Sequence, residues 1–161
     1  TLQCGRQGDA LKLYLSWLYY GKNGLGQRVD HALDIAQALV KKITCDKFRS
    51  QFVLVHSNYA NVCFWYVPST LRPRFDKELG DDFFKTMRNN ETIKNSLDQT
   101  TLNIYQKIGE QAKVCIDIAP LPNAGLPHFF RVACGNYRLK ESQLDDILNH
   151  IIEAAKSCRC E

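Results

Sequence analysis

NVCFWYVP, running from Asn61 to Pro68, is the stretch on which the fold turns. A strand with one wet face alternates apolar and polar residues. This run carries no charge and is nearly continuous in apolar and aromatic side chains, which predicts a central strand covered on both faces. Pro68 ends it, because proline brings no N–H to a ladder. Three other runs read as strands: QFVLV at 51–55, KVCIDIA at 113–119 and HFFRVAC at 128–134. APLPNAGLP, at 119–127, is rich in turn residues and predicts a tight connection between the last two.

Helical patterns frame these runs. Asp9 is placed to cap DALKLYLSWLYYGK, in which Leu11, Leu15 and Leu18 recur at helical spacing before Gly21 and Gly24 break it. A second helix is predicted from Leu25 to Ile43, its apolar stripe made of Val29, Leu33, Ala36, Val40 and Ile43. A third is SQLDDILNHIIEAAKS near the carboxy end. Ser142 and Asp145 resemble a capping box there, and Leu144, Leu148, Ile151 and Ala155 form the buried face. A fourth spans about Leu97 to Ile108. Arg72 to Asn95 is polar and reads as an exposed excursion. The sum is an α/β or α+β domain with a small sheet backed by helices.

Composition narrows the function. The chain has 161 residues, 45% apolar and 24% charged, enough for one domain with a real core. No run approaches the roughly 18 apolar residues of a membrane helix. Net charge is +4 with both signs interspersed, which argues against a nucleic-acid stripe. There is no signal-peptide layout, and the abrupt start without Met predicts a fragment of a longer chain. Seven cysteines, an odd number, stand mostly in apolar runs, as Cys63 and Cys115 do. They predict reduced, buried thiols in a cytoplasmic protein, with only Cys158 and Cys160 of SCRCE exposed. No ligand spacing completes a zinc site. The sequon Asn90-Glu91-Thr92 is read as a coincidence. No P-loop, dinucleotide glycine fingerprint, H-E-x-x-H or G-x-S-x-G occurs. His31 and His150, and the pairs Asp81-Asp82 and Asp145-Asp146, read as solvated.

Two places break a local rule. Arg131 sits in the middle of the apolar HFFRVACG, and arginine is seldom buried without a partner. Either it reaches a sheet edge or a structural carboxylate, or it receives a carboxylate or phosphate ligand on two parallel N–H donors. The other place is LQCGRQGD, residues 2–9, where Gly5 and Gly8 flank Arg6. It is either a flexible lead into a helix or backbone that must come close to a ligand. Asp117, inside an apolar run, needs a partner if buried, and nothing local supplies one.

LQCGRQGDALKLYLSW, YGKNGLGQRVDHALDIAQALV, NVCFWYVPSTLR and HFFRVACG, in that order, resemble the carboxy-terminal part of group II pyridoxal-phosphate-dependent amino-acid decarboxylases. The likeness is strongest to the glutamate, aspartate and cysteine-sulfinate branch. It is specific over about residues 2–43, 58–73 and 128–134 and loose over 74–127, where GEQAKVCIDIAP replaces the family's G-T-M-M and Y-Q-P. Aromatic-amino-acid and histidine decarboxylases usually read differently at L-Q-C-G-R and F-F-R.

The resemblance implies a homodimeric fold-type-I enzyme of the aminotransferase kind. Residues 1–24 would end its large cofactor domain, 25–45 would form the connecting helix, and 46–161 the small domain. The cofactor, pyridoxal 5'-phosphate, would be held by a lysine of a His-Lys pair that is not in this sequence. Arg131 matches the arginine that binds the substrate's α-carboxylate. That group fixes the breaking bond perpendicular to the cofactor's π system, which acts as the electron sink. Gly5 matches a position bordering the substrate pocket, in this family that of the neighbouring subunit, with Cys4 beside it. The complete enzyme would release CO2 from glutamate, aspartate or cysteine sulfinate, and the fragment alone would be inactive. A diverged or truncated homologue would instead be a binding or dimerisation module.

Overall fold

The computed structural model describes residues 8–75 and 81–158. Cys4, Gly5, Arg6 and Cys160 lie outside them. Four antiparallel strands form one sheet in the order β1-β2-β4-β3, with β1 Phe52–Asn58, β2 Asn61–Tyr66, β3 Asp117–Leu121 and β4 Leu126–Ala133. The NVCFWYVP strand is central, as its composition requires. Val62, Phe64 and Tyr66 point to one face while Cys63, Trp65 and Val67 point to the other, and all six are buried.

The first face is covered by two long helices together with Ile104 and Ile108 from a third. α1, Asp9–Thr44, packs Ile35, Ala36, Leu39 and Ile43 there, and α5, Leu144–Ser157, adds Leu144, Leu148, Ile151, Ala154 and Ala155. The α5 face is the expected one. The α1 stripe is met in part: Ala36 and Ile43 are buried and Leu33 and Val40 half-buried, but Val29 is 59% exposed and the buried line also takes in Ala32, Ile35 and Leu39. The buried face is thus wider than the expected stripe and rotated slightly from it.

α1 begins without the expected Asp9 cap. Gly8, at φ 84°, precedes it, and Asp9 is its first helical residue, where a carboxylate suits the positive end of the helix dipole. The helix is kinked at Gly21, whose φ 62° and ψ −177° lie in territory almost reserved for glycine. Gly24 stays helical, so the break falls at one glycine and not two. On the far side of the kink Arg28 is stacked between two rings, 3.9 Å from the centroid of Tyr20 and 4.1 Å from that of Tyr137.

The second face is covered by the segment expected to be an exposed excursion. Beyond a single turn, α2 Arg72–Phe75, come α3 Asp81–Asn89 and α4 Glu91–Gln111. Phe83 and Met87, four apart, stand on one side of α3 and close over Trp65 and Phe129 with Ile93 and Leu97 of α4. Phe84 adds its ring 5.8 Å from that of Trp65, so three apolar side chains in a nine-residue polar helix make the lid on the tryptophan. Asn90 of the sequon is the α4 N-cap, its Oδ1 accepting from the Thr92 and Ile93 N–H groups at 3.1 and 3.2 Å.

APLPNAGLP joins β3 to β4 through one 3-10 turn, Pro122–Ala124, closed by Gly125 at φ 67°. The entry to α5 differs from the expected box. Gln143 Oε1 accepts from the Lys140 N–H at 2.9 Å, while Asp145 turns away to pair with Lys42 at 3.1 Å, tying α5 to α1.

The cysteines divide differently from expectation. Cys63 and Cys134 are buried, but Cys115 and Cys45 are exposed. Cys115 precedes β3, an edge strand, so its apolar surroundings in sequence do not become surroundings in space. Burial pushes the Cys134 thiol up to about 11. Folded protein treated with a thiol reagent at mildly alkaline pH should therefore label Cys45 and Cys115 while Cys63 and Cys134 stay protected until unfolding; rapid labelling of Cys134, read by peptide mass, would contradict this packing.

Candidate functional site

Arg131 lies on β4, an inner strand, between Cys63 on β2 and Asp117 on β3. These three form one row across the second face of the sheet. The neighbouring row, Trp65 and Phe129 with Ala119, lies beneath α3 and the start of α4. That cover takes in Cys63 but not the outer part of its row, and the Arg131 side chain is 48% exposed although its strand is internal. The arginine is thus on a rigid element, with its head in solvent and its flanks among apolar groups.

Its carboxylate partner is now visible. Nη2 of Arg131 donates to Oδ2 of Asp117, while Asp117 Oδ1 accepts from the Ile118 N–H at 2.9 Å. Asp117 is not buried: its side chain is 54% exposed. Such a pair contributes at most about 1 kcal/mol to stability, so the burial argument for a structural partner fails. No other hydrogen-bonding partner meets the guanidinium among the described residues. Beside it, burial pushes the Cys63 thiol up, with the Arg131 charge pulling the other way.

Arg131 and Asp117 open onto a cleft of about 750 Å³ that also takes in Asn61, Lys113, Asn136 and His150. An arrangement of this kind can bind a carboxylate. It offers no nucleophile held by a base, and no group of three or more possible metal ligands occurs among the described residues. Lys113 and Asn136 carry no motif in the sequence. They reach the cleft only because strand order brings the end of α4 beside the start of β3 and the β4–α5 loop.

The histidines are less solvated than expected. His31 Nε2 lies 2.9 Å from the Leu139 carbonyl oxygen, and its ring packs on Tyr137. His150 is half-buried, with Nδ1 unpaired and Glu153 3.6 Å away. His128, three residues before Arg131, is fixed by α4: Asp98 Oδ1 accepts from its backbone N–H at 2.8 Å and lies 2.8 Å from its ring Nδ1. Trp65 Nε1 donates to the His128 carbonyl at 2.9 Å. These bonds hold the start of the Arg131 strand. Neither Asp98 nor Trp65 is marked by any motif as a partner of His128.

The model of the pyridoxal-dependent decarboxylase conserved domain matches residues 1–67. Human cysteine sulfinic acid decarboxylase is 31% identical over 94% of this chain, and mouse acidic amino acid decarboxylase GADL1 is 29% identical over the same share. The chain spans about a quarter of these relatives, 27% and 24% of their lengths. A crystal structure of mouse CSAD superposes with a TM-score of 0.73 at 30% identity, over 96% of this chain and 29% of that one. A rice TDC structure, at 16% identity and TM-score 0.64, shares the fold. Sequence and fold together make the chain similar, over about a quarter of their length, to acidic-amino-acid and cysteine-sulfinate decarboxylases, with residues 1–67 matching the pyridoxal-dependent decarboxylase domain.

Proposed function

We propose that this chain is the carboxy-terminal part of a pyridoxal-phosphate-dependent carboxy-lyase acting on glutamate, aspartate or cysteine sulfinate, and that Arg131 receives the substrate's α-carboxylate. The observation that carries the proposal is the half-exposed Arg131 guanidinium, on an inner strand and with donors to spare, at the mouth of a cleft. The strand fixes where the fork stands, so a carboxylate gripped by it is held at a set angle. A lysine would supply the charge without the angle.

The described residues do not by themselves fit the cofactor. Every described lysine is exposed or half-buried. The half-buried Lys42, Lys94 and Lys107 are ion-paired with Asp145, Glu91 and Glu110. An amine that attacks an aldehyde must be neutral, which a dry pocket favours. No His-Lys pair occurs in the sequence. The attachment lysine therefore belongs to sequence outside these 161 residues, and the chain alone is inactive.

Residues 1–24 belong to the large domain in this reading, 25–45 to the connecting helix and 46–161 to the small domain. The side chains of Leu11, Leu13, Tyr14, Leu15, Trp17 and Leu18 are all more than half exposed, which suits a segment that packs against protein outside this chain. Gly5 and Cys4 would border the substrate pocket of the neighbouring subunit in a cytoplasmic homodimer.

A second reading keeps the fold without the activity, and the Arg131–Asp117 pair favours it. The absorbance of protein expressed from its native reading frame, after incubation with pyridoxal phosphate and dialysis, separates the two. A retained cofactor band that shifts on adding glutamate, aspartate or cysteine sulfinate is expected. Protein that keeps no cofactor would leave a binding or dimerisation module.

A further inference from the structure

Asp117 is the feature of the site that a carboxylate receiver does not need. It faces Arg131 directly across the β3–β4 ladder, so the two side chains meet because of register and not by a chance rotamer. The carboxylate bonds Nη2. That nitrogen belongs to both edges of the guanidinium able to grip a carboxylate with two parallel bonds: the end formed by the two terminal nitrogens, and the side formed with Nε. A ligand must use the edge that Asp117 leaves, beside a negative charge, or expel Asp117. The other charged groups in the cleft are Lys113 and Asp146. Neither pairs with Arg131, and neither makes a hydrogen bond or ion pair among the described residues. The other oxygen of Asp117 accepts from the Ile118 N–H at 2.9 Å, a second anchor that does not depend on Arg131.

We propose that Asp117 competes with ligand carboxylates for Arg131 and so sets how weakly the site holds them. The inference rests on Arg131 being the carboxylate receiver.

Calorimetry on protein from the native reading frame, freed of cofactor and titrated with glutarate, tests both. Glutarate has two carboxylates and no amine, so it reports anion binding without chemistry. Asp117→Asn keeps the oxygen that bonds Ile118 and removes the charge. It should tighten glutarate roughly two- to fivefold, the scale of one exposed ion pair. With cofactor restored it should lower KM for the amino-acid substrate by a similar factor at nearly unchanged kcat. Asp117→Ser, smaller and neutral, should do the same if the first variant folds poorly. Adding Arg131→Gln to Asp117→Asn should abolish the gain. If Arg131→Gln binds glutarate as well as the unaltered protein, the carboxylate-receiver reading falls. If Arg131→Gln loses binding but neutral residues at 117 leave affinity unchanged or weaker, that reading stands and competition by Asp117 is overturned. Absence of binding in every form overturns both.

Discussion

Replacing Arg131 with lysine, in protein expressed from its native reading frame, is expected to lower kcat/KM by roughly tenfold to 150-fold. Hydrogen bonds to a charged group are worth about 1.5–3 kcal/mol, and each 1.36 kcal/mol is tenfold in rate. Lysine keeps the charge, so attraction of the substrate survives in part. What it loses is the planar fork, and with it the angle at which the carboxylate stands. The loss should therefore fall on kcat as well as on KM. Stability should hardly change, because the side chain is 48% exposed and its one ion pair is wet. Unchanged kcat/KM would take Arg131 out of the site and leave it as half of a surface pair with Asp117.

The residue next to it should behave in the opposite way. Phe130→Ala is expected to cost about 3–5 kcal/mol of folding stability, the range for emptying a buried phenylalanine site. Phe130 is fully buried on an inner strand, its ring 5.9 Å from that of Phe64, within the cluster that joins α1, α4 and α5 to the sheet. Neighbours held by two strands and three helices have little freedom to collapse into the space. Against a typical total of about 5–15 kcal/mol, the change would bring the domain near its limit. Denaturant unfolding should show the midpoint falling with little change in slope. A loss below about 1 kcal/mol would mean that Phe130 is not packed as described. The two substitutions, one position apart, separate the two faces of one strand: what β4 does for the fold and what it does for a ligand.

Much of the fold is legible in the chain because burial of a strand on both faces leaves a continuous apolar run, as in NVCFWYVP, and because α5 carries a single stripe. The lid over Trp65 is not. Its helix brings Phe83, Phe84 and Met87 to the core within one short polar segment, too brief a run to set against its charged surroundings. The phase of α1 is legible only in part: Ala36 and Ile43 are buried as expected, while Val29 is exposed and Ala32, Ile35 and Leu39 join the buried face. For the site, Arg131 announces itself by being charged among aromatics. Asp117 announces itself in the same way, but the run around it gives no hint that its partner lies 14 residues on. The pairing comes from a cross-strand register fixed by the length of the β3–β4 turn, which sequence pattern does not encode. Cys115 shows the converse error: an apolar context in sequence is no guarantee of burial when the strand it leads into lies at the edge.

The bend at Gly21 gives the molecule a pivot. The twelve residues on its amino side form a lever about 18 Å long at 1.5 Å per residue. A turn of about ten degrees at that one backbone position would carry Leu11 sideways by roughly 2–3 Å. The ring of Tyr20 sits at the fulcrum, held on the Arg28 guanidinium that Tyr137 grips from its other side. The aim of a whole apolar arm is thus set by a residue with no side chain and damped by one cation between two rings.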